Sequence, residues 1–289
     1  MSERARSRTA LGVAAMRAAH QLTDGEPKVL DDPVIVKLLE PELLQRIRSG
    51  TGTLEAPWAR RLRSHVVLRS RYAEDCLARA VSHGMRQYVL LGAGLDTFAY
   101  RQPAWAQKLR IFEVDHPASQ QAKRASLQAA GVEIPSNLEF AAIDFESIAL
   151  REGLLASSLD LTQPAFFSCL GVLVYLTEEA ADALFALVAS LPAPSELVFT
   201  FSPPESSLEA REAQGRASLA AVMEKLGEPW RTHFEPAVLV EKLYCMGFSE
   251  VEILSQEQTG NYFAGRSDGL RAPSHGRIAR AVVGSEPSR

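Results

Sequence analysis

The stretch Gln87–Tyr100, Q-Y-V-L-L-G-A-G-L-D-T-F-A-Y, decides the fold class of this 289-residue chain. The mostly apolar run Gln87–Leu91 leads directly into Gly92-Ala93-Gly94, and this pattern predicts a buried strand that ends in a tight turn. Glycines at such a turn let the backbone approach a ligand, because no Cβ stands in the way. The stretch therefore predicts the first strand and the ligand-binding turn of a Rossmann-like α/β domain.

Strand and helix patterns alternate after this turn. Further strands are predicted at 109–114, 138–143, 165–169 and 196–201, with helices at 117–130 and 177–190. Such alternation predicts a parallel sheet covered by helices on both faces. The last two predicted strands, 251–254 and 277–283, have no strong crossover helix between them and should pair antiparallel. We therefore predict a seven-stranded sheet with an antiparallel terminal pair.

The regions around this sheet predict two helical additions. Residues 1–63 are typical of helices broken by turns, with a helix-start signal at Asp31-Asp32-Pro33, and we interpret them as an N-terminal lid region. Residues 64–289 would form the cofactor-binding domain. A long helix predicted over 60–82 spans the start of this domain. Within that domain, the polar and partly helix-periodic segment 202–236 is predicted to be an insertion after the fifth strand.

Bulk properties narrow the class of protein. The net charge of −4 argues against a nucleic-acid surface, which would need a basic face. The three cysteines lie far apart without metal-ligand spacing, so we expect no metal site and a reducing compartment. No apolar run reaches the roughly 18 residues that a membrane span requires. These features predict a cytoplasmic protein without a membrane segment, and they leave its oligomeric state open.

Two carboxylates follow the second and third predicted strands. Asp115 lies about 20 residues after the glycine turn, where an acid can accept hydrogen bonds from both hydroxyls of a ribose. Asp144 is followed by Phe145, and an acid beside a flat ring suits an adenine base. Each also has a simpler interpretation, since Asp115 could cap the next helix and Asp144 could be a solvated turn residue. Together with the glycine turn they predict a site for an adenosine moiety.

Three classes of protein fit an adenosine site of this kind. A methyltransferase that uses S-adenosylmethionine is the first. An NAD(P)-dependent oxidoreductase shares the strand, the turn and Asp115, but Thr97 stands where the dinucleotide fingerprint has a third glycine, and the terminal strand pair also disfavours it. A non-catalytic adenosine-binding module is the third, although such a sensor would not need helical segments at the strand ends.

The segment Val89–Arg101 closely resembles the first motif of the leucine carboxyl methyltransferase family, which includes bacterial O-methyltransferases and carboxyl methyltransferases of polyketide pathways. The resemblance extends from Thr9 to Gly247 and includes Phe112–Pro117 and Gly171–Thr177. It implies S-adenosylmethionine as the cofactor, a Rossmann-like methyltransferase fold and a small-molecule methyl acceptor.

The same resemblance implies roles for individual residues. It assigns the ribose to Asp115 and the adenine side to Asp144, and it assigns the methionine carboxylate of the cofactor to an arginine of the preceding helix. Arg69 is the first choice for that clamp and Arg71 the alternate; a guanidinium binds a carboxylate through two parallel hydrogen bonds. The remaining expected cofactor contacts are Gly92, Ala93, Gly94, His116, Phe145, Leu170 and Gly171. Leu170 departs from the family, since many members have Glu there, and backbone carbonyls would replace the missing acidic contact.

The acceptor is predicted from the resemblance to carboxyl methyltransferases together with reaction chemistry. A carboxylate is ionised at neutral pH and attacks the electrophilic methyl of a sulfonium without a base, whereas a phenol needs one. Candidate bases are His116, His233 and Tyr175, but the sequence shows no convincing acid–base pair. We therefore predict O-methylation of a small organic molecule, with a carboxylate as the acceptor.

Overall fold

The computed structural model describes residues 8–144, 150–208, 227–273 and 277–284, together with helical residues 213–214, 217, 220–221 and 223–224. The described part contains one seven-stranded sheet, and the predicted number of strands is confirmed. The strands are β1 Gln87–Leu91, β2 Arg110–Asp115, β3 Leu138–Ala142, β4 Phe166–Cys169, β5 Glu196–Phe201, β6 Glu250–Ile253 and β7 Arg277–Val282.

The strand order is β3-β2-β1-β4-β5-β7-β6, and β1 to β5 run parallel. Strand β7 is antiparallel to both β5 and β6, so the predicted antiparallel terminal pair is confirmed. Order reverses between β1 and β4, and ligands of open α/β sheets bind at the carboxyl ends of the strands beside such a reversal. A β7 inserted antiparallel disfavours the oxidoreductase alternative, whose classic sheet is built from two parallel halves.

Helices cover both faces of the sheet. They are α1 Arg8–Thr23, α2 Pro33–Lys37, α3 Pro41–Arg48, α4 Pro57–Ser82, α5 Pro117–Ala129, α6 Leu150–Leu155, α7 Glu178–Ala189, α8 Pro236–Cys245 and α9 Gln256–Asn261. Two predicted helix starts are confirmed by their caps: the side chain of Asp32 accepts the amide of Ile35, and that of Thr177 accepts the amide of Ala180. None of the helices in the described residues is long and apolar enough to cross a membrane.

Alternation along the strands builds two separate cores. On one face, Val89 and Leu91 of β1 pack in a cluster with residues of α7 and α8. On the other face, Tyr88 and Leu90 pack with buried residues of α4. Helix α4 therefore lies against the sheet at the point where strand order reverses, and this position brings its side chains to the carboxyl ends of β1 and β4.

The N-terminal helices pack on α4 rather than standing apart. Helix α1 makes most of its inter-helix contacts with α4 and α3. The loop after α1 is also bonded to the C-terminal part of the chain, because the amide of Gly25 donates to Asp268 Oδ2 at 2.7 Å and Arg60 donates to the carbonyl of Asp268 at 2.6 Å. The predicted division at residues 63 and 64 falls inside α4.

Candidate functional site

The turn after β1 has the backbone conformation that its glycines allow. Gly92 and Gly94 have φ of 66° and 46°, in the left-handed region that disfavours side chains. The amides of Gly92 and Ala93 both donate to the carbonyl of Val114, which ties the turn to β2. A Cβ on Gly92 would lie 2.3 Å from Val172, so the turns after β1 and β4 are in close contact here.

Asp115 ends β2 and faces this turn. Its Oδ2 accepts the amide of Gly94 at 2.5 Å, and its Oδ1 accepts the amide of His116 at 2.7 Å. A carboxylate oxygen can accept a second hydrogen bond, so both oxygens keep capacity for a ligand. The two amides fix the orientation of a half-buried carboxylate at the sheet edge.

His116 and Asp144 lie beside one another on the next strand ends. His116 Nδ1 accepts the amide of Ala118 as the N-cap of α5. This acceptor role places the proton of a neutral ring on Nε2, which lies 3.8 Å from Asp144 Oδ2. Both side chains are about 30% exposed, at 32% and 28%, so a ligand can reach them. Phe145, the predicted partner of an adenine ring, lies outside the described residues.

The turn after β4 contains Gly171, with φ of 78° and its amide donating to Thr200. The guanidinium of Arg69 lies directly against it, because a Cβ on Gly171 would be 2.5 Å from Arg69 Nη1. Arg69 has no hydrogen bond or ion pair among the described residues. Burial lowers the pKa of its guanidinium to about 10, although Tyr175 and Asp96 oppose that shift, so Arg69 remains a cation at neutral pH. Leu170, the residue before, is half-buried and packs against the α4 side of the sheet.

Arg71 lies elsewhere. It is on the exposed side of α4, where it pairs with Asp75 at 2.8 Å and donates to the carbonyl of Val29. Residues two apart on a helix differ by about 200° around the axis, so Arg69 and Arg71 cannot face the same site. The structure brings only Arg69 to the carboxyl ends of β1 and β4.

A buried polar network joins the glycine turn to the N-terminal helices. Thr97, which has no exposed surface, donates to Asp32 Oδ1 at 2.6 Å and accepts from Arg17 Nη2 at 2.9 Å. Arg17 also pairs with Asp32 at 2.6 Å. From the sequence, Thr97 stands out only because it replaces the third glycine of the dinucleotide fingerprint, and no role is predicted for Arg17. In the structure both hold the glycine turn against α1 and α2.

Two further ion pairs complete this network. Arg17 lies 3.4 Å from Asp96 Oδ2, and although burial acts in the opposite direction, the positive charge of Arg17 lowers the pKa of Asp96. Arg101 donates to both carboxylate oxygens of Glu74 and to Thr97. Every charged side chain around Thr97 therefore has an opposite charge beside it.

The chain that follows β5 returns to the turn after β4. The amide of Arg231 donates to the carbonyl of Val174 at 2.7 Å, and Thr232 donates to the carbonyl of Leu176. Tyr175 lies between them and interacts with Trp230 and Thr9, and burial raises the pKa of its hydroxyl. The end of the predicted 202–236 insertion therefore borders the site. Among the described residues, no group of His, Cys, Asp and Glu is arranged to hold a metal ion.

The sheet order, the two glycine turns and the acids after β2 and β3 define the class of Rossmann-like methyltransferases. Solved structures agree on the fold. A duf574 family protein from Streptomyces avermitilis is 18% identical with a TM-score of 0.53, covering 93% of this chain and 97% of its own. A candidate methyltransferase from Thermobifida fusca is 18% identical with a TM-score of 0.52, covering 94% of each chain.

Sequence comparison identifies the family. The sequence model of leucine carboxyl methyltransferase matches residues 10–189, so this chain belongs to the leucine carboxyl methyltransferase family. A candidate S-adenosyl-L-methionine-dependent methyltransferase of Bacillus subtilis, YktD, is 35% identical over 71% of this chain and 67% of its own length. A candidate enzyme of the same description from Mycobacterium avium is 34% identical over 73% and 69%. The predicted family is confirmed, and the chain is an S-adenosylmethionine-dependent methyltransferase.

Proposed function

We propose that this enzyme transfers the methyl group of S-adenosylmethionine to the carboxylate of a small organic molecule. The observation that carries the proposal is that neither His116 nor Tyr175, the candidate bases that follow β2 and β4, offers a basic atom for removing a proton from a phenol. His116 uses the lone pair of Nδ1 to cap α5, which leaves a protonated Nε2. Burial raises the pKa of Tyr175, so its hydroxyl is protonated and weakly basic at neutral pH. His233 is exposed to solvent. An acceptor that is already ionised fits this set of residues.

In the cofactor site that we propose, the turns after β1 and β4 lie beside different parts of the cofactor. Asp115, held by two amides, accepts hydrogen bonds from the ribose, and Asp144 lies at the adenine end. Arg69 binds the methionine carboxylate, since a half-buried guanidinium that has no counterion among the described residues can pair with an anion. His116, Leu170 and the backbone of Gly92, Ala93, Gly94 and Gly171 border the same space. The glycines matter here because a Cβ on Gly92 would clash with Val172 and a Cβ on Gly171 would clash with the guanidinium of Arg69.

The bound cofactor supplies a methyl group on a positively charged sulfur, which is electrophilic without further activation. The chain's own contribution is therefore to hold the cofactor and to bring the acceptor oxygen to it in line. Exclusion of water strengthens the attraction between the carboxylate and the sulfonium. The buried network around Thr97 keeps the glycine turn fixed and so removes the need to order it during the reaction.

The test uses cofactor labelled in its methyl group. The enzyme is offered aliphatic and aromatic carboxylates and matched phenols, and labelled products are treated with mild alkali, which hydrolyses an ester but not an ether. The proposal expects alkali-labile products and a single-turnover rate that is flat between about pH 6 and 8. Alkali-stable products from phenols would overturn the carboxylate proposal while leaving the methyltransferase assignment in place.

A further inference from the structure

One face of α4 changes its surroundings halfway along the helix. Spacings of three and four residues place seven side chains on this face: Trp58, Leu62, His65, Arg69, Ala73, Cys76 and Ala80. We call it the Trp58–Ala80 face. Its lower residues, Ala73, Cys76 and Ala80, are buried in the cluster that covers β1, β4 and β5.

Arg69 marks the level at which this face passes the edge of the sheet. Its guanidinium lies beside Gly171, two residues after β4 ends. Above Arg69 the same face has no strand to pack against. Since a helix rises 1.5 Å per residue, the eleven residues from Arg69 to Trp58 extend roughly 16 Å beyond that level.

Of the residues of this face above Arg69, His65 is polar, whereas Trp58 and Leu62 are apolar and not packed in a core. Trp58 is 51% exposed and Leu62 is half-buried, and among the described residues neither packs against the four hydrophobic clusters. The neighbouring side of the same segment, about 100° around the helix, is buried, because Ala59 and Arg63 have no exposed surface and Val66 is 1% exposed. The part of the Trp58–Ala80 face above His65 is therefore an apolar surface, and it begins at Leu62, about 10 Å beyond the level of Arg69.

We propose that the upper Trp58–Ala80 face is the acceptor wall and that the acceptor is a carboxylate with an elongated apolar body. This inference rests on the proposed function. The reacting end lies toward the sheet edge, since the two glycine turns lie there. The apolar body then extends along Leu62 to Trp58, which it removes from water. A small polar acid such as acetate reaches the sheet edge without using this surface.

The first measurement is the rate of labelled methyl transfer to acetate, hexanoate and decanoate. We expect kcat/KM to rise with chain length in the native enzyme. Trp58→Ala and Leu62→Ala should each lower kcat/KM for decanoate by about tenfold or more and leave that for acetate unchanged, because only the longer body covers these side chains. Val238→Ala and Leu155→Ala are matched controls, since both residues are exposed and apolar but lie on α8 and α6. Neither control should change the preference.

The second measurement separates this inference from the proposed function. Calorimetry gives the affinities of the same three acids in the presence of S-adenosylhomocysteine, without any transfer step. One outcome is that no acid is methylated, but decanoate binds more tightly than acetate and Trp58→Ala abolishes the difference. In that case the proposed reaction is wrong, and the proposed acceptor wall is supported. Equal binding of the three acids, or equal effects of Trp58→Ala and Val238→Ala, would overturn the wall. A change of oligomeric state in Trp58→Ala would also overturn it, because the face would then be an interface between copies of the chain.

Discussion

Two arginines lie at the same edge of the sheet, one paired with carboxylates and the other without an ion pair among the described residues. Arg17, from α1, pairs with Asp32 and Asp96 beside the turn after β1. Arg69, from α4, lies against the turn after β4 and has no such partner among the described residues. Arg17 is buried among its counterions, so its role is in stability, whereas for the half-buried and unpaired Arg69 we propose a ligand. On this proposal the turn after β1 is already assembled, and the turn after β4 is completed by binding.

The largest effect is expected on stability when Arg17, the paired arginine, is replaced. Arg17→Met leaves the buried Asp32 with only Arg101 beside it and removes the ion-pair partner of the half-buried Asp96, so we expect the free energy of unfolding to fall by about 3 kcal/mol. Chemical denaturation measures this change. Arg48→Met, at an exposed position at the end of α3, is the control and should change stability by less than about 0.5 kcal/mol. Equal stability of the Arg17 and Arg48 variants would show that the network does not stabilise the fold.

Substitution of Arg69, the unpaired arginine, should change the affinity for the cofactor and leave stability unchanged. Arg69→Met removes a half-buried charge that has no ion pair among the described residues, so we expect no loss of stability. The same change removes two charge-assisted hydrogen bonds to the methionine carboxylate and should weaken S-adenosylmethionine binding by about 100-fold, or roughly 3 kcal/mol. Calorimetry measures the affinity. Arg71→Met should bind the cofactor normally, and a matching loss in that variant would contradict the assignment of Arg69.

A smaller effect is expected at Asp115, which serves both the turn and the ligand. Asp115→Ala removes the acceptor for the ribose hydroxyls, and bonds to a charged acceptor contribute roughly 1.5–3 kcal/mol each. We expect S-adenosylmethionine affinity to fall by at least about tenfold. Asp31→Ala, on the exposed surface before α2, is the control. Unchanged affinity would show that Asp115 only braces Gly94 and His116.

The smallest effect concerns an imperfectly satisfied pair below the glycine turn. Lys123 lies 2.7 Å from Glu113 Oε2, while Glu113 Oε1 is buried without a hydrogen-bond partner. Burial raises the pKa of Glu113 to about 7 from an ordinary value of 4.5, although Lys123 opposes the shift. The folded state therefore holds more protons than the unfolded state between these values, and this group's contribution to stability is lost as pH rises through the interval.

Denaturation at about pH 5, 6 and 7 tests this dependence. In Glu113→Gln the fall of unfolding free energy across the interval should become shallower. Glu133→Gln, at an exposed position, should keep the native slope. A slope that is the same in all three proteins would show that Glu113 does not titrate in this range.

The sheet could be predicted from the sequence because its signals are local. Apolar runs such as Gln87–Leu91 and Glu196–Phe201 end at glycines or polar residues, and the predicted bounds of both strands match the structure. The conformation of Gly92 and Gly94 follows from the same short stretch. Periodicity also placed α4, since its apolar side chains repeat every three or four residues.

The network around Thr97 could not be predicted in the same way. Its members, Arg17, Asp32 and Thr97, are separated by 15 to 80 positions, and nothing near each one reveals the others. The choice between Arg69 and Arg71, by contrast, could be made from the sequence. Arg69 shares the helical phase of Ala73 and Cys76, which pack on the sheet, whereas Arg71 does not. The roles of Asp144 and Phe145 toward an adenine remain predictions.

The hydrogen bond between Gly25 and Asp268 has a consequence for how the chain folds while it is being synthesised. The loop after α1 and the start of α4 both bind Asp268, which follows them by more than 200 positions. On the ribosome the N-terminal helices emerge long before this residue is made. They can pack on one another early, but their final position waits for the last tenth of the chain. Contacts of such separation in sequence slow folding, because the intervening chain must be ordered first.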